Sequence, residues 1–314
     1  MSSETPTALL HVVERKWLYF LLSGVLIVPG IVFLLLGGLK PGIEFLGGSL
    51  LDVSFRSPPS ALAVHDVMTG LGHGEAQIQG AQGGRILIRT KELSAAEVTG
   101  TQAALKKAFP NDVLGVDAST VSPSFSGELV QDAVRSIVFA SILIVLLIAF
   151  AFRSFGWSAF RYGIAAIVAL LHDAFLVLGV FAMLGFFFGV EVDSLFVTAV
   201  LTIIGFSVHD TIVVFDRIRE NLRLNPGEAL NPVINFSVMQ TMTRSVITSL
   251  TVLLTLLALF LFGGYSVRDF ALALLIGIIS GTYSSIFNAA QVVSLWQELE
   301  DAWRRRRRTQ LATA

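Results

Sequence analysis

Six long apolar runs, at about 17–39, 133–152, 159–188, 195–215, 245–262 and 270–296, decide what this 314-residue chain can fold into. A helix crossing the hydrocarbon core of a bilayer needs roughly 20 apolar residues. The runs meet that length and read as membrane-spanning helices. Charged residues make up only 14% of the chain and hydrophobic ones 54%, whereas a soluble domain carries about 25% charged residues. Pro29-Gly30 interrupts the first run, an interruption that membrane helices tolerate better than soluble ones. That run follows Arg15-Lys16 and lacks a small-residue cleavage site, so it reads as a retained span rather than a signal peptide.

Orientation follows the basic residues of the short loops. Arg15 and Lys16 precede the first span, Arg153 and Arg161 flank the second connection, and Arg217, Arg219 and Arg223 follow the fourth span. Arg304–Arg308 stands in the tail, while the third connection, with Glu191 and Asp193, has no basic residue and the fifth has Arg268. The positive-inside rule therefore predicts that both termini are cytoplasmic. The domains expected are a cytoplasmic N-terminus with the first span (1–39), an extracytoplasmic domain (40–132), five further spans (133–296) and a basic cytoplasmic tail (297–314).

The polar insertion has the pattern of a small α/β domain. Leu51, Val53 and Phe55 alternate with Asp52 and Ser54 as in a half-buried strand. Ser60 opens a helix with Val64, Val67, Met68 and Leu71 on one face. A short strand near Ala76–Gln79, a Gly83-Gly84 turn and a strand over Arg85–Arg89 follow. Ser94 and Glu97 form a capping-box pattern ahead of a helix that turns Val98, Leu105 and Phe109 inward. Val113–Val121 closes the set, and the order β-α-β-β-α-β predicts a ferredoxin-like fold.

Within the fourth run, His209 and Asp210 stand among apolar residues just before the charged stretch Asp216–Arg223. Ionisable groups at membrane depth are costly and by default mark ion or proton pathways. Asp210 lies roughly 22 Å from the outer end of its span and Arg244 roughly 27 Å from that of the fifth, at 1.5 Å per residue. Antiparallel neighbours sharing a connection can bring the two to similar depth. A carboxylate that takes and releases protons needs a neighbour that changes its hold on them, and a moving guanidinium does so; a static salt bridge between the two helices is the plain alternative. His209 is either a relay partner or a local hydrogen-bonding group. His172 and Asp173 of the third run form a secondary relay candidate or a polar contact between helices. Asp216–Arg223 reads as a solvated helix end, Gly47-Gly48 as a turn or a hinge between membrane and domain, and Gly205, Gly277 and Gly281 as close-packing positions or a rocking interface.

Several segments recur together in one family. Gly42–Ser49 (GIEFLGGS), Val121–Leu129 (VSPSFSGEL), Leu171–Asp173 (LHD), Ile204–Leu222 (IGFSVHDTIVVFDRIRENL), Gln240–Ser249 (QTMTRSVITS), and Phe262–Gly264 with Phe270–Ser285 stand in order along the chain. They resemble motifs of the SecD/SecF family of protein-export membrane proteins, within the resistance–nodulation–division (RND) superfamily. Glu44 stands where that family usually has Asp, Leu46 where it often has Thr, and His209 where it usually has Asn. The resemblance implies an α-helical membrane protein of half-RND type, with six transmembrane helices and one ferredoxin-like extracytoplasmic domain. It implies a SecD-like subunit as the other half, beside the Sec translocon channel in the bacterial cytoplasmic (inner) membrane, with an unfolded secretory polypeptide as cargo. It also implies that Asp210 and Arg244 couple proton movement to export. A passive scaffold for the translocon and an RND-like exporter of lipids or small molecules are the alternatives.

Other chemistry finds no foothold in the sequence. The chain has no cysteine, which excludes disulfides, thiolate chemistry and Cys-based zinc sites. No Walker A, metalloprotease or Gly-x-Ser-x-Gly pattern occurs, so neither ATP hydrolysis nor another hydrolytic activity is expected. No cofactor and no metal is expected, and protons are the coupling ion. Arg304–Arg308 reads as an anchor on anionic membrane lipids, not as a nucleic-acid site.

Overall fold

The computed structural model describes residues 11–81, 83–153 and 159–313. Residues 1–10 of the expected N-terminal segment, and the side chains of Arg307 and Arg308 in the basic run, lie outside the described residues. A 3₁₀ turn (Val13–Arg15) leads into helix α1 (Lys16–Leu36). The polar segment then holds α2 (Ile43–Leu46), β1 (Gly48–Phe55), α3 (Ala61–Gly70), β2 (Gln77–Ala81), β3 (Arg85–Thr90), α4 (Ala95–Ala108) and β4 (Val113–Val121). Five long helices follow: α5 (Pro123–Phe152), α6 (Ala159–Phe188), α7 (Ser194–Leu224), α8 (Leu230–Phe262) and α9 (Tyr265–Ser284). A π-helical turn (Ser285–Ala289) joins α9 to α10 (Ala290–Thr313). The chain forms two compact units, Pro41–Ser136 and Met1–Lys40 with Ile137–Ala314.

The smaller unit is a four-stranded sheet in the order β2-β3-β1-β4, with every neighbouring pair antiparallel. That order and the helix placement are those of a ferredoxin-like fold. Leu51, Val53 and Phe55 point from β1 into a core shared with Val64 and Met68 of α3, Ile86 and Ile88 of β3 and Leu105 of α4. Ser60 caps α3, and Ser94 and Glu97 exchange both hydrogen bonds of a capping box at the start of α4. Gly47 and Gly48, at φ 75° and 114°, make the left-handed turn into β1.

Among the described residues six helices are long and apolar enough to cross a membrane. Exposed Leu, Val, Ile and Phe side chains cover α1, α5 and α8, an arrangement that water penalises and lipid tails do not. The most enclosed helices are α6, α7 and the one that runs from α9 through the π turn into α10. Close approach is set by small residues. Gly30 of α1 meets Gly179 of α6 backbone to backbone, and Gly277 of α9 receives Ile203 of α7. Gly205, expected at a packing surface, faces open space instead; the helix face it belongs to is an outward one.

Several helices run past their apolar cores. α5 starts ten residues ahead of its apolar run, where Arg135 bonds Asp132 and Gln131 along the helix. α7 extends through the charged stretch, whose Arg217–Glu220 and Arg219–Asp216 pairs sit three residues apart. The expected basic tail continues the last helix as α10.

Candidate functional site

Asp173 lies near the middle of α6 and is 1% exposed. Four donors surround its carboxylate. His172 Nδ1 approaches Oδ1 at 2.9 Å and Ser280 Oγ donates to the same oxygen at 2.7 Å. Oδ2 accepts from Ser207 at 2.5 Å and Ser284 at 2.6 Å. One donor shares α6, one comes from α7 and two from successive turns of α9. Gly281 makes room for the group: a Cβ there would stand 3.2 Å from Ser207 Cβ and 3.6 Å from Asp173 Oδ2. A buried carboxylate is expensive unless its lone pairs are filled, and here they are.

The far side of the imidazole continues the network. His172 Nε2 lies 2.9 Å from Ser23 Oγ of α1, and Asn288 Nδ2 of the π turn donates to the same oxygen at 2.8 Å. The Tyr283 ring lies over His172, with centroids 6.2 Å apart, and its hydroxyl donates to the Tyr19 carbonyl. Thus α1, α6, α7 and α9 with its π turn meet through one polar cluster inside an apolar bundle. π turns inside α-helices recur at functional sites.

The other acidic position is built differently. Asp210 of α7 is 4% exposed, and its Oδ2 has no hydrogen-bond partner. His209 Nδ1 stands 3.9 Å from Oδ1, while the rest of that side chain points outward. Arg244 is exposed on α8. Arg244 lies within electrostatic reach of Asp210, yet among the described residues no ion pair joins the two. The structure therefore brings His172 and Asp173 into direct contact and leaves Asp210 and Arg244 apart. Thr211, next along α7, holds Ser285 of the π turn at 2.9 Å.

Sequence reasoning overlooked Ser23, Ser207, Ser280, Ser284 and Asn288. Only the pair Ser280 and Ser284 carried a signal, four residues apart and hence on one helix face. A second polar zone, also unforeseen, ties together the end of the bundle where α1 begins. Lys16 pairs with Glu298, Arg161 bonds Gln297 and Glu300, and Asn235 holds the Val13 amide and Glu14. Asn221 of α7 reaches Ser237 and Gln240 of α8. Among the described residues no cluster of three or more His, Asp or Glu offers a metal site.

Residues 101–299 match the family model described as "Protein export membrane protein SecD/SecF, C-terminal". The protein translocase subunit SecF of Thermobaculum terrenum is 45% identical, over 96% of this chain and 98% of its own length. SecF of Anaerolinea thermophila is 37% identical over 94% and 96%. The longer SecDF of Bacillus subtilis is 35% identical over 91% of this chain, which spans 38% of that protein. Among solved structures, SecDF of Thermus thermophilus, described as a translocon-associated membrane protein, superposes with a TM-score of 0.77 at 31% identity. That match covers 91% of this chain and 38% of the SecDF chain.

Proposed function

The chain belongs to the SecD/SecF family of protein-export membrane proteins, and on that footing we propose that it is a proton-coupled accessory subunit of the Sec translocase. Relatives in which the matching segment is part of a longer SecDF chain support a SecD-like subunit as its partner. The same reading has both termini in the cytoplasm and the ferredoxin-like unit outside the bacterial inner membrane. There the complex works beside the translocon channel on an unfolded secretory polypeptide. It needs no hydrolytic activity of its own. The proton-motive force supplies the energy, about 2.3 kcal/mol per charge for each 100 mV of potential.

One observation carries the coupling: Asp210 is enclosed in a membrane-spanning helix with an unpartnered carboxylate oxygen, and the Arg244 guanidinium stands within electrostatic reach. A group placed so can hold a proton when a cation withdraws and lose it when the cation closes in. Arg244, on the neighbouring helix, is the cation whose approach would unload it, with His209 adjusting the balance. The resulting shift of α7 against α8 passes to the outer unit along α1 and α5, the helices that flank it in the chain.

The test is Asp210→Asn in the complex with its SecD-like partner, reconstituted into vesicles lacking native SecF. Export driven by an imposed proton gradient is expected to fall at least tenfold while co-purification with the partner is kept. Export at the wild-type rate would refute the coupling. Loss of co-purification together with export would favour a passive scaffold instead.

A further inference from the structure

The cluster around Asp173 has a directional order that a mere helix clamp does not require. Ser23, His172 and Asp173 form an unbroken line of proton-transferring groups, with both links at 2.9 Å. Ser207, which donates to the far oxygen of Asp173, sits one turn before Asp210 on α7. At the other end of the line the polarity is left incomplete. Asn288 is 4% exposed and spends its amide N–H on Ser23, while its Oδ1 has no partner. Gln291, three residues on and 0% exposed, has no partner for either amide atom. Two buried amides on one side of a helix, three of whose polar atoms are unpaired, are a heavy cost in an apolar bundle. Buried water with two to four polar partners is the ordinary way to meet it.

These residues lie toward the end of the bundle where α1 begins, since Lys16 of α1 and Glu298 of α10 meet there. Ser23 is seven residues into α1 from Lys16, about 10 Å at 1.5 Å per residue. We propose that Asn288 and Gln291, at the π turn, hold ordered water that opens a proton entry from the terminal side, leading through Ser23 and His172 to Asp173 as a second proton-binding site. The proposal rests on the proton-coupled reading and supplies the route by which protons come to α7.

Transfer along the line balances. A proton arriving on the water is taken up at Ser23 Oγ as the Ser23 hydroxyl proton passes to His172 Nε2. The ring then releases its Nδ1 proton to Asp173 Oδ1. One proton enters and one is delivered, the imidazole is left as the Nε2–H tautomer, and the reverse passage restores it. The groups that face the imidazole are Asp173 on its own helix, Ser23 on α1 and the Tyr283 ring on α9. None of these is a cation. The tight fit of α1 on α6 at Gly30 and Gly179 holds the two helices that make the Ser23–His172 link.

The absence of native cysteine gives a direct test. Gln291→Cys, Asn288→Cys and Ala289→Cys are each made in the full chain, purified with the SecD-like partner and reconstituted. A small charged, membrane-impermeant thiol reagent is then applied from either side. Ala289 is fully buried in the apolar cluster beside these residues and serves as the dry control. Labelling of positions 288 and 291 from the terminal side is expected to be at least tenfold faster than at 289. Rates equal to the control, or labelling only from the opposite side, would overturn the proposal. Ser23→Ala tests the line itself: proton-driven export should fall at least tenfold, and Ser23→Thr, which keeps the hydroxyl, should restore most of it. Unchanged export in Ser23→Ala, in a complex where Asp210→Asn abolishes it, would overturn the route while leaving the coupling at Asp210 intact. The labelling result decides the hydrated entry whatever Asp210→Asn does.

Discussion

Gly30 and Gly179 touch through their backbones: a Cβ built on Gly30 would stand 2.7 Å from the Gly179 Cα, and one on Gly179 would stand 2.6 Å from the Gly30 Cα. The obstructing atoms belong to the main chain of the facing helix, so no rotamer change can relieve them. Overpacking of this kind costs about 1–3 kcal/mol. Gly30→Ala and Gly179→Ala are each expected to lower stability by that amount in detergent-based unfolding. Gly24→Ala, on the same helix with nothing within 4 Å, should be neutral. Equal behaviour of all three would show that α1 does not dock on α6 through this contact.

The serine cage predicts a graded response. Ser280→Ala, Ser207→Ala and Ser284→Ala each remove one hydrogen bond from Asp173. Hydrogen bonds between membrane helices average about 0.6 kcal/mol and reach about 1.7 kcal/mol, so each single change should stay within that range. Asp173→Ala strands four donors at once and should cost more than the worst serine variant. Unfolding curves for the four variants decide it; an Asp173→Ala loss no larger than that of Ser280→Ala would mean the cage contributes little to stability.

In the outer unit two carboxyls respond to pH with opposite signs. Burial holds the Asp52 carboxyl above its ordinary value, the Arg85 guanidinium at 3.2 Å pulls the other way, and Asp117, directly opposite on β4, adds to the rise. The folded unit thus binds this proton more tightly than the unfolded chain. Its contribution is fully present below the unfolded value and is lost as pH rises through the folded one. Glu97 is the reverse. Hydrogen bonds from Ser94 hold its carboxyl below the ordinary value, so its contribution is present above the unfolded value and lost as pH falls through the folded one. Asp52→Asn should therefore remove a gain of stability on acidification, and Glu97→Gln should remove a loss. Amide-exchange protection of β1 and β3 in the full chain, corrected for the intrinsic rate, reads both; a shift of the same sign for the two variants would contradict the assignment.

What the sequence made legible is what short-range physics controls. Ser94 and Glu97 are three residues apart, and the capping box they predict forms from that spacing alone. The alternation of Leu51, Val53 and Phe55 fixes which face of β1 is inward, and the element order fixes the strand order. Helix ends were less legible. Apolar runs mark the hydrocarbon core, whereas α5 and α7 continue as long as charged residues pair along the helix, as Arg135 does with Asp132. The Asp173 cluster was legible only as His172-Asp173. Ser207, Ser280 and Ser284 lie 34, 107 and 111 residues from Asp173, and serine is too common in helices to advertise such a role. Gly205 misled for the opposite reason: glycine in a span suggests close packing, yet only the finished bundle decides which face is inside.

Gly277 offers a packing test in which the obstruction is a side chain. A Cβ there would stand 2.2 Å from Ile203 Cδ1 and 2.4 Å from Cγ1, and Ile203 is itself buried in the cluster joining α7 to α9. Neither partner can turn away without displacing that cluster, so Gly277→Ala should cost about 1–3 kcal/mol. Ile203→Ala alone opens a cavity at a cost of about 2–5 kcal/mol. In the double variant the new methyl enters the space the isoleucine has left, so the two losses should fall short of adding. Residues in contact show coupling of about 0.5–3 kcal/mol in such cycles, and the same range is expected from unfolding of the four proteins. Strict additivity would mean that the methyl of Gly277→Ala does not meet Ile203 and that α7 and α9 adjust there independently of that side chain. The serines that reach Asp173 from those two helices would then be held by their hydrogen bonds rather than by the packing around them.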